Sequence, residues 1–260
     1  MHNTIKTTES GLVRVPRITA FFWLVKILTT GAGETTSDYL GSVFSPAVVA
    51  IVGAVALAAS LVLQFRMRRY VAWSYWLAVS MVAIVGTMFA DVLHSLGISY
   101  IISASVFGVL LAVIFTWWYR SEGTLSIHSI TNAKREGFYW ATVITTFALG
   151  TAVGDMTATT FGWGYLTSGI VFTIVILLVA LVQYLMRSST NGVIAFWVAY
   201  ILTRPLGASY ADWMGEPRAK GGLEWGGARV SLILFAAIFL LVAYLAVTKK
   251  DAPEQPAERS

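Results

Sequence analysis

The sequence predicts an all-α integral membrane protein whose eight transmembrane helices form four parallel two-helix repeats, with the N and C termini both cytoplasmic. Three observations predict it: a composition poor in charge, apolar runs long enough to cross a bilayer, and a fourfold recurrence of Trp, Gly and Asp at fixed spacing. Of the 260 residues, 57% are hydrophobic and only 12% charged, against about 25% charged in a soluble domain. The mean hydropathy is +0.72. There is no cysteine, which excludes disulfides, thiolate chemistry, zinc–thiolate sites and iron–sulfur ligation. The net charge of +5 reads as basic loops that orient a membrane protein, so nucleic acid is not an expected partner.

Taken in order, residues 1–17 are polar and lack a hydrophobic stretch with a small-residue cleavage site, so they read as a cytoplasmic N-terminal segment without a cleaved signal. A transmembrane domain follows over 18–248. Four of its runs carry no charge, Pro46–Phe65, Tyr100–Tyr119, Tyr165–Met186 and Val230–Thr248, and each is about 20 residues long, enough to span the hydrocarbon core as a helix. Four others, near 18–37, 73–91, 138–155 and 195–212, each run to an acidic residue. Strict alternation is absent, which argues against a β-barrel. Residues 249–260 mix Lys, Glu, Pro and Ala and read as a disordered cytoplasmic tail.

Orientation follows from the basic residues. In an eight-helix arrangement Lys6, Arg14, Arg17, Arg66, Arg68, Arg69, Arg120, Lys134, Arg135, Arg187, Lys249, Lys250 and Arg259 all fall on one side. Arg218, Lys220 and Arg229 fall on the other, and Lys26 and Arg204 lie within spans. The positive side is cytoplasmic.

The internal repeat is read directly. Trp23, Gly33 and Asp38 recur as Trp76, Gly86 and Asp91, as Trp140, Gly150 and Asp155, and as Trp197, Gly207 and Asp212. Only Asp251 among the five aspartates falls outside this pattern. The copies occupy about 18–66, 71–120, 135–187 and 192–248. Two helices per copy return the chain to the same side, so the repeats are parallel. At 100° per residue, positions 3, 7, 11 and 15 after the Trp share one stripe roughly 120° wide. It reads Lys26, Thr30, Glu34, Asp38; Val79, Ala83, Thr87, Asp91; Val143, Phe147, Thr151, Asp155; and Tyr200, Arg204, Ala208, Asp212.

Through the segments Phe22–Leu40 (FWLVKILTTGAGETTSDYL) and Phe138–Ala158 (FYWATVITTFALGTAVGDMTA), the chain resembles a family of bacterial multi-pass membrane proteins built of four tandem "repeats of unknown function". The resemblance covers about residues 18–248. Its second copy matches more loosely, and its fourth departs most, with Arg204–Pro205 where the first has Thr30–Gly31. It implies the fold and an inner-membrane location and carries no activity, so chemistry must come from the residues.

Ionised groups inside a bilayer cost roughly 2.5–3.5 kcal/mol on insertion scales and usually face the bundle interior. The expectation is a central, outward-opening cavity lined by Asp38, Asp91, Asp155, Asp212 and Glu34. Thr30, Thr87, Thr151 and His94 are its auxiliary polar groups, and Lys26 and Arg204 its charge partners. Carboxylates and hydroxyls suit a hard divalent cation such as manganese, or a proton. The four Asp are the candidate metal ligands. This reads as secondary transport or export of a small cation. The alternative is a non-transporting scaffold or sensor subunit whose charges form a structural ion-pair network, with each Asp near the outer interface merely ending or capping a helix. Gly33, Gly86, Gly150 and Gly207 read as close-approach or kink positions, and the four Trp first as interfacial anchors, or else as inward members of the stripe. Trp117, Trp118 and Tyr119 read as belt residues, His94 as relay or solvated edge residue, and 213–228 as an outer cap or gate. Ala152-Val153-Gly154-Asp155 lacks the first Gly of the intramembrane aspartyl protease motif. No nucleotide loop, metalloprotease helix or nucleophile elbow is present. Neither enzymatic activity nor a cofactor is expected. The expected partners are the bilayer and a small cation or proton, and a homo-oligomer is compatible.

Overall fold

The structure, a computed structural model, describes residues 12–186 and 189–253. Lys6, Arg187 and Arg259 therefore lie outside the described residues. The described chain is all helical: α1 Ala20–Val43, α2 Pro46–Arg66, α3 Ala72–Ser95, α4 Tyr100–Glu122, α5 Ala133–Asp155, α6 Tyr165–Met186, α7 Ser189–Gly215 and α8 Gly227–Thr248. Local sequence sets several ends. Thr19, Ser99 and Asn132 cap α1, α4 and α5 by accepting the amide of the residue three positions on. Gly123 ends α4 in the left-handed conformation.

Six of these helices, α2, α3, α4, α6, α7 and α8, are long and apolar enough to cross a membrane, whereas α1 and α5 are not. Packing supplies the reason. The helices α1, α3, α5 and α7 form a closed inner ring, each against the next, with α7 returning to α1. Polar side chains of α1 and α5 point into that ring, among them Lys26, Thr29, Thr30 and Glu34 of α1 and Thr142, Thr146 and Thr151 of α5, all buried. The other helices form an outer layer. Two thirds (67%) of the α3 span is buried, against 17% of α4. The outer surface of α2, α4, α6 and α8 is Val, Ile, Leu and Phe, for example Ile51, Val109, Leu177 and Phe239.

The repeats interlock. Each outer helix packs mainly on the inner helix of the following repeat: α2 on α3, α4 on α5, α6 on α7, and α8 back on α1. The repeat glycines make the inner ring tight. A Cβ on Gly33 would lie 2.5 Å from the Ala83 Cβ, and one on Gly86 2.6 Å from that of Phe147. On Gly150 it would strike the Arg204 stem, and on Gly207 the Thr30 side chain. Every contact joins the Gly of one repeat to the residue seven past the Trp of the next, so the close-approach reading holds and the ring has pseudo-fourfold symmetry.

Several expectations change. The Trp residues are not interfacial anchors, since Trp76, Trp140 and Trp197 are buried and Trp23 is half-buried. They join Phe22, Tyr75, Tyr139, Phe196 and Tyr200 in an aromatic layer, because at this end the ring core is filled by rings rather than bounded by headgroups. Trp117 and Tyr119 are exposed as belt residues should be, but Trp118 is buried against Phe138 and Trp197. The tail is ordered as far as it is described: Asp251 is buried, accepts a hydrogen bond from the Tyr70 hydroxyl, and its carbonyl accepts from the Arg17 amide. Residues 254–260 lie outside the described residues.

Candidate functional site

The four positions of the stripe become four layers along the ring axis. In the first, Lys26, Val79, Val143 and Tyr200 are all buried. In the second, Thr30, Ala83, Phe147 and Arg204 are fully buried. The third holds Glu34, Thr87, Thr151 and Ala208, again all buried. At the fourth the burial ends: Asp212 is 7% exposed, Asp91 and Asp155 are half-buried, and Asp38 is exposed. A stripe that points inward in all four repeats, and opens only at the aspartates, is what the spacing predicts. Asp38, Asp91 and Asp212 lie within the last two turns of α1, α3 and α7, and Asp155 at the end of α5, rather than as caps beyond them. Asp155 passes into a single π turn, Met156–Thr160.

Arg204 ties the middle layers together. Its guanidinium pairs with Glu34 at 2.5 Å, donates to the Thr30 carbonyl at 2.8 Å and to the Thr151 hydroxyl at 2.7 Å, and also bonds Thr87. One α7 side chain thus reaches α1, α3 and α5. Thr87 donates in turn to Glu34 at 3.1 Å. Thr30 contributes its carbonyl, while its hydroxyl donates to Ile27 and Thr203 carbonyls. Gly150 leaves the room that the Arg204 stem fills.

Among the described residues Lys26 pairs with no carboxylate. Its ammonium has no hydrogen-bond partner and sits 4.0 Å from the Phe147 ring centroid and 4.4 Å from that of Tyr200, a cation–π arrangement. The reason is axial distance: Lys26 lies eight residues, ~12 Å, below Glu34 on one helix, while Arg204 starts only one turn below it. His94 likewise stands apart from the carboxylates. It is exposed, stacks on Tyr100 with centroids 4.0 Å apart, and approaches the Ile98 carbonyl at 3.4 Å, bracing the α3–α4 turn.

The four aspartates do not form one metal group. One carboxylate oxygen each from Glu34, Asp38 and Asp212 lie within 4.8 Å of one another. Asp91 accepts from Ser37 at 3.1 Å and lines a separate cleft of 190 Å³ between α1, α2 and α3. Among the described residues no Lys or Arg pairs with any of the four aspartates. A second cleft, of 230 Å³, is lined by Asp38, Asp212 and Glu216, with Thr35, Tyr39 and Pro217. The segment after α7 edges it, folding back so that Leu223, Glu224, Trp225 and Gly226 amides bond the Trp213, Glu216, Met214 and Gly215 carbonyls.

A polar cluster at the opposite end has no counterpart in the sequence reading. Glu136 is fully buried, pairs with Arg14 at 2.7 Å, and accepts from Gln64 at 3.0 Å and the Trp140 indole at 3.4 Å. Gln64 accepts from Ser74 at 2.9 Å. The one signal available was a lone amide, Gln64, in an uncharged apolar run. This cluster and the aromatic layer close the base of the ring.

Among known proteins, the family model described as Repeat of Unknown Function (DUF347) matches residues 21–70, 74–124, 138–189 and 195–251. These segments follow the four copies marked by Trp, Gly and Asp. No curated protein and no solved structure matches the chain.

Proposed function

The chain belongs to the DUF347 family of repeats of unknown function, and from the axis those repeats surround we propose that it is a secondary transporter or exporter of a small hard cation, passing the membrane eight times in the bacterial cytoplasmic membrane with both termini inside. The observation that carries the reading is the fourth layer: four repeat-equivalent aspartates at the open end of a closed helix ring, none paired with a cationic side chain among the described residues, above a buried Arg204–Glu34 plug. Uncompensated carboxylates in a low-dielectric setting attract cations or protons. The inward turn of the α1 and α5 polar groups supports eight spans, since what those helices hide is what lowers their apolarity. Orientation is supported by Arg14, Lys134 and Arg135, which gather with the C-terminal Asp251 segment at one end. Arg204 and Glu34 would hold the closed state, and the segment following α7 would serve as the outer gate. No nucleotide motif is present to drive pumping, so movement would be passive or ion-coupled, with the proton as coupling ion or cargo.

One observation favours the scaffold alternative: through its two terminal nitrogens Arg204 joins the four inner helices, as a purely architectural ion pair would. Proteoliposomes decide between them. Transport requires manganese or proton flux in wild type that falls at least about tenfold in folded Asp→Asn variants of the fourth layer. No flux for any cation tested, together with stability lost in each variant, would establish the scaffold.

A further inference from the structure

We infer that Glu34, Asp38 and Asp212 form a binding site for one divalent cation of the Ca²⁺ or Mn²⁺ class, seated between α1 and α7 at the inner end of the 230 Å³ cleft. This names the substrate class of the pathway proposed above and rests on that reading for the identity of the cargo. Three observations converge. One oxygen of each residue lies within 4.8 Å of the other two, so a point no more than about 2.8 Å from all three exists. That limit admits the roughly 2.3–2.6 Å of Ca²⁺–oxygen bonds, while Mg²⁺ is disfavoured because it dehydrates reluctantly and demands near-ideal octahedral geometry. Asp212 is more than nine-tenths buried, and its Oδ1 has no hydrogen-bond partner. A buried carboxylate oxygen left unpaired carries a large desolvation cost that a cation would offset.

The surrounding charge points the same way. Among the described residues Arg204 is the one cationic group paired with any of the three carboxylates, and of the three it pairs with Glu34 alone. Glu216, paired with the exposed Lys220 at 2.9 Å, lines the outer part of the cleft, while Lys26 faces aromatic rings a layer away from Arg204. The cleft leaves room for water to fill the remaining coordination positions, as hard cations require. Because Glu34 serves both groups, an ion drawing on it weakens its pair with Arg204, the tie across the ring. Site occupancy and the plug are therefore coupled.

The test uses full-length protein in detergent, titrated with Mn²⁺ and followed by its EPR signal. One saturable Mn²⁺ per chain is expected, displaced by Ca²⁺ at lower concentration than by Mg²⁺. Asp38→Asn and Asp212→Asn should each weaken binding at least about tenfold, while Asp91→Asn and Asp155→Asn change it less than about threefold. Asp38 is exposed, so its variant carries the comparison if Asp212→Asn does not fold. No saturable Mn²⁺ in wild type, or equal weakening by Asp91→Asn, overturns the site. Binding without flux in proteoliposomes would uphold the site and remove the transport reading. Flux unaltered in Asp38→Asn would remove the site and leave transport by another route.

Discussion

Replacing Arg204 by Met should unfold the inner ring far more readily than removing any of its neutral partners. Arg204 is fully buried, and its one charged partner, Glu34, is buried with it. Removing one member of such a pair leaves the other charged and alone, at a cost of about 3–5 kcal/mol. The neutral partners lose less: Thr87 still donates to the Ala83 carbonyl at 3.0 Å, and the Thr30 carbonyl belongs to the interior of α1. Thr151→Ala removes a single interhelical hydrogen bond, worth roughly 0.6 kcal/mol and at most about 1.7 in membrane bundles. The double replacement Glu34→Gln with Arg204→Met leaves no buried charge in these layers and should recover most of the loss, because apolar substitutes for a buried pair are often neutral or stabilising. Unfolding in detergent by added SDS or by heat, followed through tryptophan fluorescence, measures wild type, Arg204→Met, Glu34→Gln, Thr151→Ala and the double variant. If Arg204→Met is no less stable than Thr151→Ala, or if the double variant is as unstable as the sum of its singles, the pair is not what holds the ring.

Two further outcomes follow from the packing. Gly33→Ala, whose Cβ would lie 2.5 Å from Ala83, should cost about 1–3 kcal/mol by forcing α1 from α3, whereas Gly108→Ala on α4 meets open space and should be neutral or slightly stabilising in the same unfolding assay. Lys26→Met should raise the unfolding midpoint, since the buried ammonium has no hydrogen-bond partner and its two ring contacts, worth ~0.5–2 kcal/mol, do not offset its burial. A lowered midpoint would mean that the rings hold the charge better than this accounting allows.

Much of the axis was legible because a helix has a fixed period. Once Trp, Gly and Asp recurred in register, 100° per residue placed Lys26, Thr30, Glu34 and Asp38 on one face, and their counterparts fell on the same axis. The choice of partner was not legible. Sequence places Lys26 and Arg204 equally among the carboxylates, but only Arg204 stands at the height and on the helix from which a side chain reaches Glu34. The same holds for the metal ligands, where four repeat-equivalent aspartates part into Asp38 and Asp212 beside Glu34 on one side, Asp91 in its own cleft on another, and Asp155 half-buried where α5 passes into the π turn. The Glu136 cluster escaped notice because an acidic residue in the basic run Lys134–Arg135–Glu136 looks solvated until Arg14 and Gln64 are brought over it.

By itself, the sequence determined the helices, their number, the repeat, and which face of each odd helix turns inward, because hydrophobic length and helical period are local properties. Only the tertiary structure decided that each outer helix leans on the next repeat and that α8 closes the ring on α1. Those outer helices are apolar on nearly every side, so their residues say only that they meet lipid or one another. Which neighbour they meet depends on where the glycines let the inner helices touch, and that is settled when all four are in place.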